Sequence, residues 1–194
     1  MSTPVALTQS ELRGLLTVSR ERDYRAYVLF LITTLHGLRV SEVIALRRRD
    51  FAVNGDMIFL TVQRLKGSEK TTQRLNGCPE SLFDERSVLA EFIKNLKPND
   101  PLFPDADGSM LTRWQVTSLI EKYGSLAGVP EHKRFIHSLK HTAGIHMRQA
   151  GCKLEEIKAA LGHKSMNSTA QYLRVSADEA DDARARAFGA GAGL

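Results

Sequence analysis

The chain has 194 residues, with 27 Lys and Arg against 22 Asp and Glu, a formal charge of +5 and a sequence pI near 9.4. That length accommodates one substantial core, and the basic balance favours an anionic partner such as nucleic acid. Cys78 and Cys152 stand in no Cys-x-x-Cys or Cys/His spacing, which argues against a disulfide framework or a zinc site. With no signal-peptide pattern and no membrane-length apolar run, the expected location is the cytoplasm.

Most of the chain has helical periodicity. Thr8-Gln-Ser-Glu-Leu-Arg reads as a capped helix start, with Leu12, Leu15 and Leu16 on one face. Tyr24 to Leu35 predicts a buried helix that stops at His36-Gly37, and a short helix follows over Ser41 to Leu46. The run Arg47 to Arg49 suits either DNA phosphates or a solvated face. Met57 to Gln63 is rich in β-formers after the turn signal Asn54-Gly55-Asp56. Polar residues 66–70 turn the chain into a second strand over Thr71 to Leu75, giving a hairpin with a basic tip. Helical spacing returns at Val88, Leu89, Phe92, Ile93 and Leu96, then over 112–126, 137–150, 154–161, about 167–173 and 177–188. Trp114 is expected as a core anchor, and the glycine-rich 189–194 as an unordered tail. The expected class is mainly α (α+β), helices around a small antiparallel sheet.

Titratable residues concentrate near the C-terminus. His137 and Lys140, three apart on a helix, face the same way and can contact one oxyanion together. His163 follows Gly162 at a helix end, where a sharp turn presents an imidazole to a neighbouring site, and Tyr172 lies nine residues on. Each residue alone has an ordinary structural reading. Tyr172 packs, Arg39 and Glu42 form a helix-end ion pair, the histidines cap helices and Lys66 is solvated. His36 and His141 suit packing or a core hydrogen bond, and Ser41 and Thr169 suit helix caps. No Ser/His/Asp arrangement competes with Tyr172.

The order of these residues resembles the tyrosine recombinases of the phage integrase family. The family's first arginine box is matched by His36-Gly-Leu-Arg39-Val-Ser-Glu42-Val, and its hairpin lysine by Lys66. Its His-x-x-Arg box is matched by His137-Ser-Leu-Lys140, its Leu-Gly-His box by Leu161-Gly-His163, and its nucleophile by Tyr172. The stretch from Arg64 to Thr72 is also similar to the short recombinases that invert fimbrial promoter segments. The resemblance implies a single catalytic domain over 1–194, without the N-terminal helical domain that many integrases carry.

It also implies a chemistry. Tyr172 attacks the scissile phosphate of double-stranded DNA, leaving a 3′-phosphotyrosyl link. Arg39, His137, Lys140 and His163 surround its nonbridging oxygens, Glu42 supports the site and Lys66 is the general acid. No cofactor or metal is implied. The implied partners are DNA, a homotetramer on synapsed DNA and accessory DNA-bending proteins, with association to the nucleoid and 177–188 docking on a neighbouring protomer. Lys140 departs from the family's arginine. It keeps the charge but loses the two-pronged donor, so reduced activity is expected, with Arg134 or Arg148 as possible compensation. Type IB topoisomerase-like relaxation and a catalytically decayed DNA-binding protein are the alternative readings.

Overall fold

Tyr24–Leu35 is apolar on nearly every side and lies at the centre of the larger hydrophobic core. The computed structural model describes residues 5–64, 70–79, 81–170 and 172. Its helices α1 (Gln9–Arg22), α2 (Tyr24–Leu35) and α3 (Val40–Ala45) precede strands β1 (Phe51–Asn54), β2 (Met57–Val62) and β3 (Thr71–Arg74). Helices α4 (Glu85–Phe92), α5 (Arg113–Leu126), α6 (Ile136–Gln149), α7 (Leu154–Leu161) and α8 (Asn167–Ala170) follow. From Ala26 to Thr34 every residue of α2 is buried, and the helix packs against α1, α3, α4 and α6. A helix with no polar face needs neighbours on all sides, which is the arrangement seen.

Local signals set the boundaries. Thr8 accepts from the Glu11 amide at 3.2 Å while Glu11 accepts from the Thr8 amide at 2.7 Å, the reciprocal cap that starts α1. Asp23 ends α1 and caps α2, accepting from Ala26 N at 3.0 Å; the Tyr123 hydroxyl of α5 donates to its other oxygen at 3.2 Å. At the far end of α2, Gly37 takes φ 54°, and a Cβ there would lie 2.2 Å from Leu161 Cδ2. Both the turn and the contact with the end of α7 therefore require glycine.

Two expectations are corrected. The sheet has three antiparallel strands in the order β1-β2-β3, not two, with Phe51 opposite Leu60 and Phe59 opposite Arg74. β1 gives no strand signal in the sequence because it buries only Phe51 and lacks the alternation that Ile58, Leu60 and Val62 give β2. Trp114 is not a core anchor; it is 76% exposed. The buried face of α5 is Val116, Ile120, Tyr123 and Gly124, and a residue two places before Val116 projects away from it. The expected helix over 177–188 and the tail 189–194 lie outside the described residues. Among the described residues no helix is long and apolar enough to cross a membrane.

Candidate active site

The site begins with a carboxylate shared by two arginines. Glu42, in the first turn of α3, accepts from the Arg39 amide and from Arg39 Nη1, each at 2.8 Å, and from Arg64 Nη1 at 3.1 Å. Burial alone would raise its carboxyl. The hydrogen bonds from Arg39 and the charge of Arg64 outweigh that and hold it below the usual range. Glu42 and Arg64 are inaccessible at their side chains, whereas the Arg39 side chain is 34% exposed. The inner pair therefore holds the outer guanidinium in place.

Arg64 carries no site signal in the sequence, because an arginine after a strand has no distinctive spacing. Its Nη2 donates to the main-chain oxygens of His36 (3.1 Å) and Ala160 (3.3 Å), and its Nε donates to Thr71 Oγ1 (3.0 Å). One side chain thus joins the first arginine box, the sheet and the end of α7. Gly162, at φ 63°, makes room for it: a Cβ there would lie 2.6 Å from Arg64 Nε.

His137 and Lys140 both belong to α6 but occupy different depths. His137 is exposed, whereas Lys140 is 2% exposed. Lys140 Nζ donates to Gly37 O at 2.5 Å and Leu161 O at 3.0 Å, joining the first box to the Leu-Gly-His turn. Burial and the charges of Arg64 and Arg39 lower its ammonium to about 7. Partial desolvation of its ring by the atoms packed beneath it, then the charges of Lys140 and Arg39, lower His137. Arg134, a candidate to compensate for Lys140, spends its Nε on Val129 O at 2.6 Å.

Tyr172 is 2% exposed and packs with Ala143, Ile157 and Leu161. Its ring stacks on His163 at a centroid distance of 6.3 Å and 10° between planes, and its hydroxyl lies 3.2 Å from His141 Nδ1. Gly144 shapes the slot, since a Cβ there would lie 2.6 Å from Tyr172 Cζ. Burial pushes the phenol up to about 12, with the charge of Arg39 acting against it. Burial and neighbouring positive charge lower both His141 and His163 to about 4, so each is neutral at pH 7. A neutral His141 can accept from the phenol, contact that spacing alone did not reveal.

Thr169 is not a helix cap; it is buried with Oγ1 2.9 Å from His163 Nδ1. Ser41 lies inside α3, whose N-cap is Arg39. The arginine run makes local contacts: Arg47 donates to Asn99 O, Arg48 to Phe51 O at 2.8 Å and Arg49 to Asn99 Oδ1 at 2.8 Å. Lys66 lies outside the described residues. Beside His163, a cavity of about 390 Å³ is lined by Lys70, Thr71, Lys158, Gly162 and Lys164 among others. Its basic wall suits a phosphate-bearing ligand.

Residues 6–179 match the model of the phage integrase family. The chain belongs to that family. It is 30% identical over 188 residues to the tyrosine recombinase XerA of Pyrococcus furiosus, covering 95% of this chain and 62% of that protein. It is 29% identical over 159 residues to the type 1 fimbriae regulatory protein FimE of Escherichia coli K12, covering 79% and 76% respectively. Among solved structures, XerH site-specific recombinase bound to its difH substrate before cleavage superposes with a TM-score of 0.76 at 25% identity, covering 95% of this chain and 55% of that one. The chain thus spans less than two thirds of the XerA and XerH chains.

Proposed function

We infer that this chain cleaves and rejoins double-stranded DNA in site-specific recombination, with Tyr172 as the nucleophile. The observation that carries the reading is the Tyr172 pocket, where a phenol stacks on His163 and meets a neutral acceptor on His141 in a chain matching the integrase family over 6–179. Arg39 holds a guanidinium at the surface for a nonbridging phosphate oxygen, steadied from behind by Glu42 and Arg64. His163, anchored at Nδ1 by the Thr169 hydroxyl 2.9 Å away, presents Nε2 to the phosphate as a hydrogen-bond donor. His137 donates from the first turn of α6. Lys140 contributes charge from beneath, and Lys66 protonates the leaving 5′-oxygen.

A phosphodiester exchanged for a phosphotyrosine conserves the ester bond, so rejoining needs no energy input. Because the phenol is buried, attack on duplex DNA requires Tyr172 to leave its slot. The similar XerH is a site-specific recombinase bound to its difH substrate, which supports the reading; a synaptic homotetramer, accessory bending proteins and nucleoid association belong to the same reading. The test is a nicked suicide duplex. Wild-type protein forms a covalent 3′ adduct, and an adduct persisting in Tyr172→Phe refutes the assignment. Recombination between two sites, rather than loss of supercoils alone, separates recombination from topoisomerase-like relaxation.

A further inference from the structure

His36 has no role in the chemistry above, yet it is 4% exposed and both of its ring nitrogens are engaged. Nδ1 lies 2.6 Å from Gln73 Oε1 on β3, and Nε2 lies 2.7 Å from Glu85 Oε2 on α4. The Gln73 amide cannot be turned round, because its Nε2 donates to Ala160 O at 2.8 Å. Gln73 therefore presents an acceptor to His36. The other Glu85 oxygen accepts from Asn76 N at 2.7 Å. An imidazole between two acceptors satisfies both only with a proton on each nitrogen. With Glu85 as a carboxylate, its 2.7 Å contact makes Nε2 a donor, as the Gln73 oxygen makes Nδ1 one.

We propose that His36 is a positioning residue whose doubly protonated ring clamps β3 to α4 and, through Gln73, fixes the end of α7 from which the His163 turn departs. The proposal rests on the recombinase reading for its effect on cleavage, but not for the state of the ring. Ala160 O, the far end of this chain of bonds, also accepts from Arg64, and it immediately precedes Leu161-Gly162-His163. His36 thus ties the first box to the turn that carries His163. The charged groups facing this region are Glu85 from α4, Arg64 on the main-chain oxygen of His36, and Lys140 on that of Gly37.

The same inventory identifies a discriminating substitution. In Glu85→Gln the amide oxygen accepts from Asn76 N and the amide nitrogen donates to Nε2 of a neutral His36, whose Nδ1 proton stays on Gln73. Every group remains satisfied with one proton fewer. In His36→Ala both acceptors lose their donor.

Two measurements on the whole chain test this. Long-range proton–nitrogen correlation NMR of the free protein at neutral pH should show protons on both His36 ring nitrogens, and in Glu85→Gln on Nδ1 alone. A single neutral tautomer in the wild type overturns the proposal. In single-turnover cleavage of a suicide duplex at saturating DNA, His36→Ala should be slower by roughly 10- to 100-fold with DNA affinity unchanged. Glu85→Gln should stay within about threefold of wild type. Glu85→Gln as slow as His36→Ala also overturns the proposal. Absence of any adduct from wild type would instead count against the recombinase reading, leaving the NMR result to decide the ring's state.

Discussion

Lys140→Arg separates a titrating buried cation from a permanent one. Lys140 is 2% exposed and lowered from 10.5 to about 7, chiefly by burial, then by Arg64 and Arg39. In the unfolded chain this lysine keeps its proton to about pH 10.4. Between the two values unfolding takes up a proton, so stability rises with pH. From pH 6 to pH 9 the folded lysine sheds a charge it holds at a cost, which stabilises the wild type by about 3 kcal/mol. That is a large share of the roughly 5–15 kcal/mol typical of a domain. An arginine stays protonated throughout and shows no such gain. The assay is urea unfolding of DNA-free protein at half-unit pH intervals, with the Lys140→Arg curve subtracted to remove other titrations. Parallel curves for the two proteins would refute the argument. In cleavage, Lys140→Arg should outpace wild type by keeping its charge through neutral pH, and no gain on a suicide duplex would count against a role for that charge.

Gly144→Ala should favour α6 by about 1 kcal/mol through helix propensity while displacing the Tyr172 ring that it would touch. NMR titration of ring-labelled tyrosine should then find Tyr172 moved from about 12 toward the ordinary value of 10.0. An unmoved resonance would show that the slot has room to spare. Arg64→Ala leaves Glu42 buried with one partner fewer and should destabilise by about 3–5 kcal/mol in urea unfolding. A loss under 1 kcal/mol would mean the pair is dispensable. His141 and His163, lowered to about 4, stay neutral in the folded protein while unfolded histidines protonate below about 6.5. Acidification through that window should therefore lower the urea midpoint, and replacing either histidine with Gln should shallow the slope. Trp114 is the sole tryptophan, so its emission should be that of a hydrated indole and should be readily quenched by acrylamide.

The helices that position the site were legible because their caps and periodicities are local. Thr8, the apolar run from Tyr24 and the glycine at 37 mark α1 and α2 without reference to other elements. β1 was not legible, since a four-residue strand with one buried side chain owes its pairing to β2. Trp114 misled for a related reason: its size favours burial in general, but the face of α5 that meets the core is settled by Val116, Ile120 and Tyr123.

The site divides along the same line. Residue types in order, from Arg39 through the later boxes to Tyr172, are properties of the chain and suffice to mark the family. The sequence alone also determined the departure at Lys140. Only the tertiary structure decided that Lys140 spends its donors on Gly37 and Leu161, that Arg64 stands behind Glu42 and that His141 meets the Tyr172 hydroxyl. Those contacts join residues up to 103 positions apart. Burial and hydrogen bonding across such separations depend on how the helices pack, and burial is what moves the lysine, histidine and tyrosine from their ordinary proton affinities.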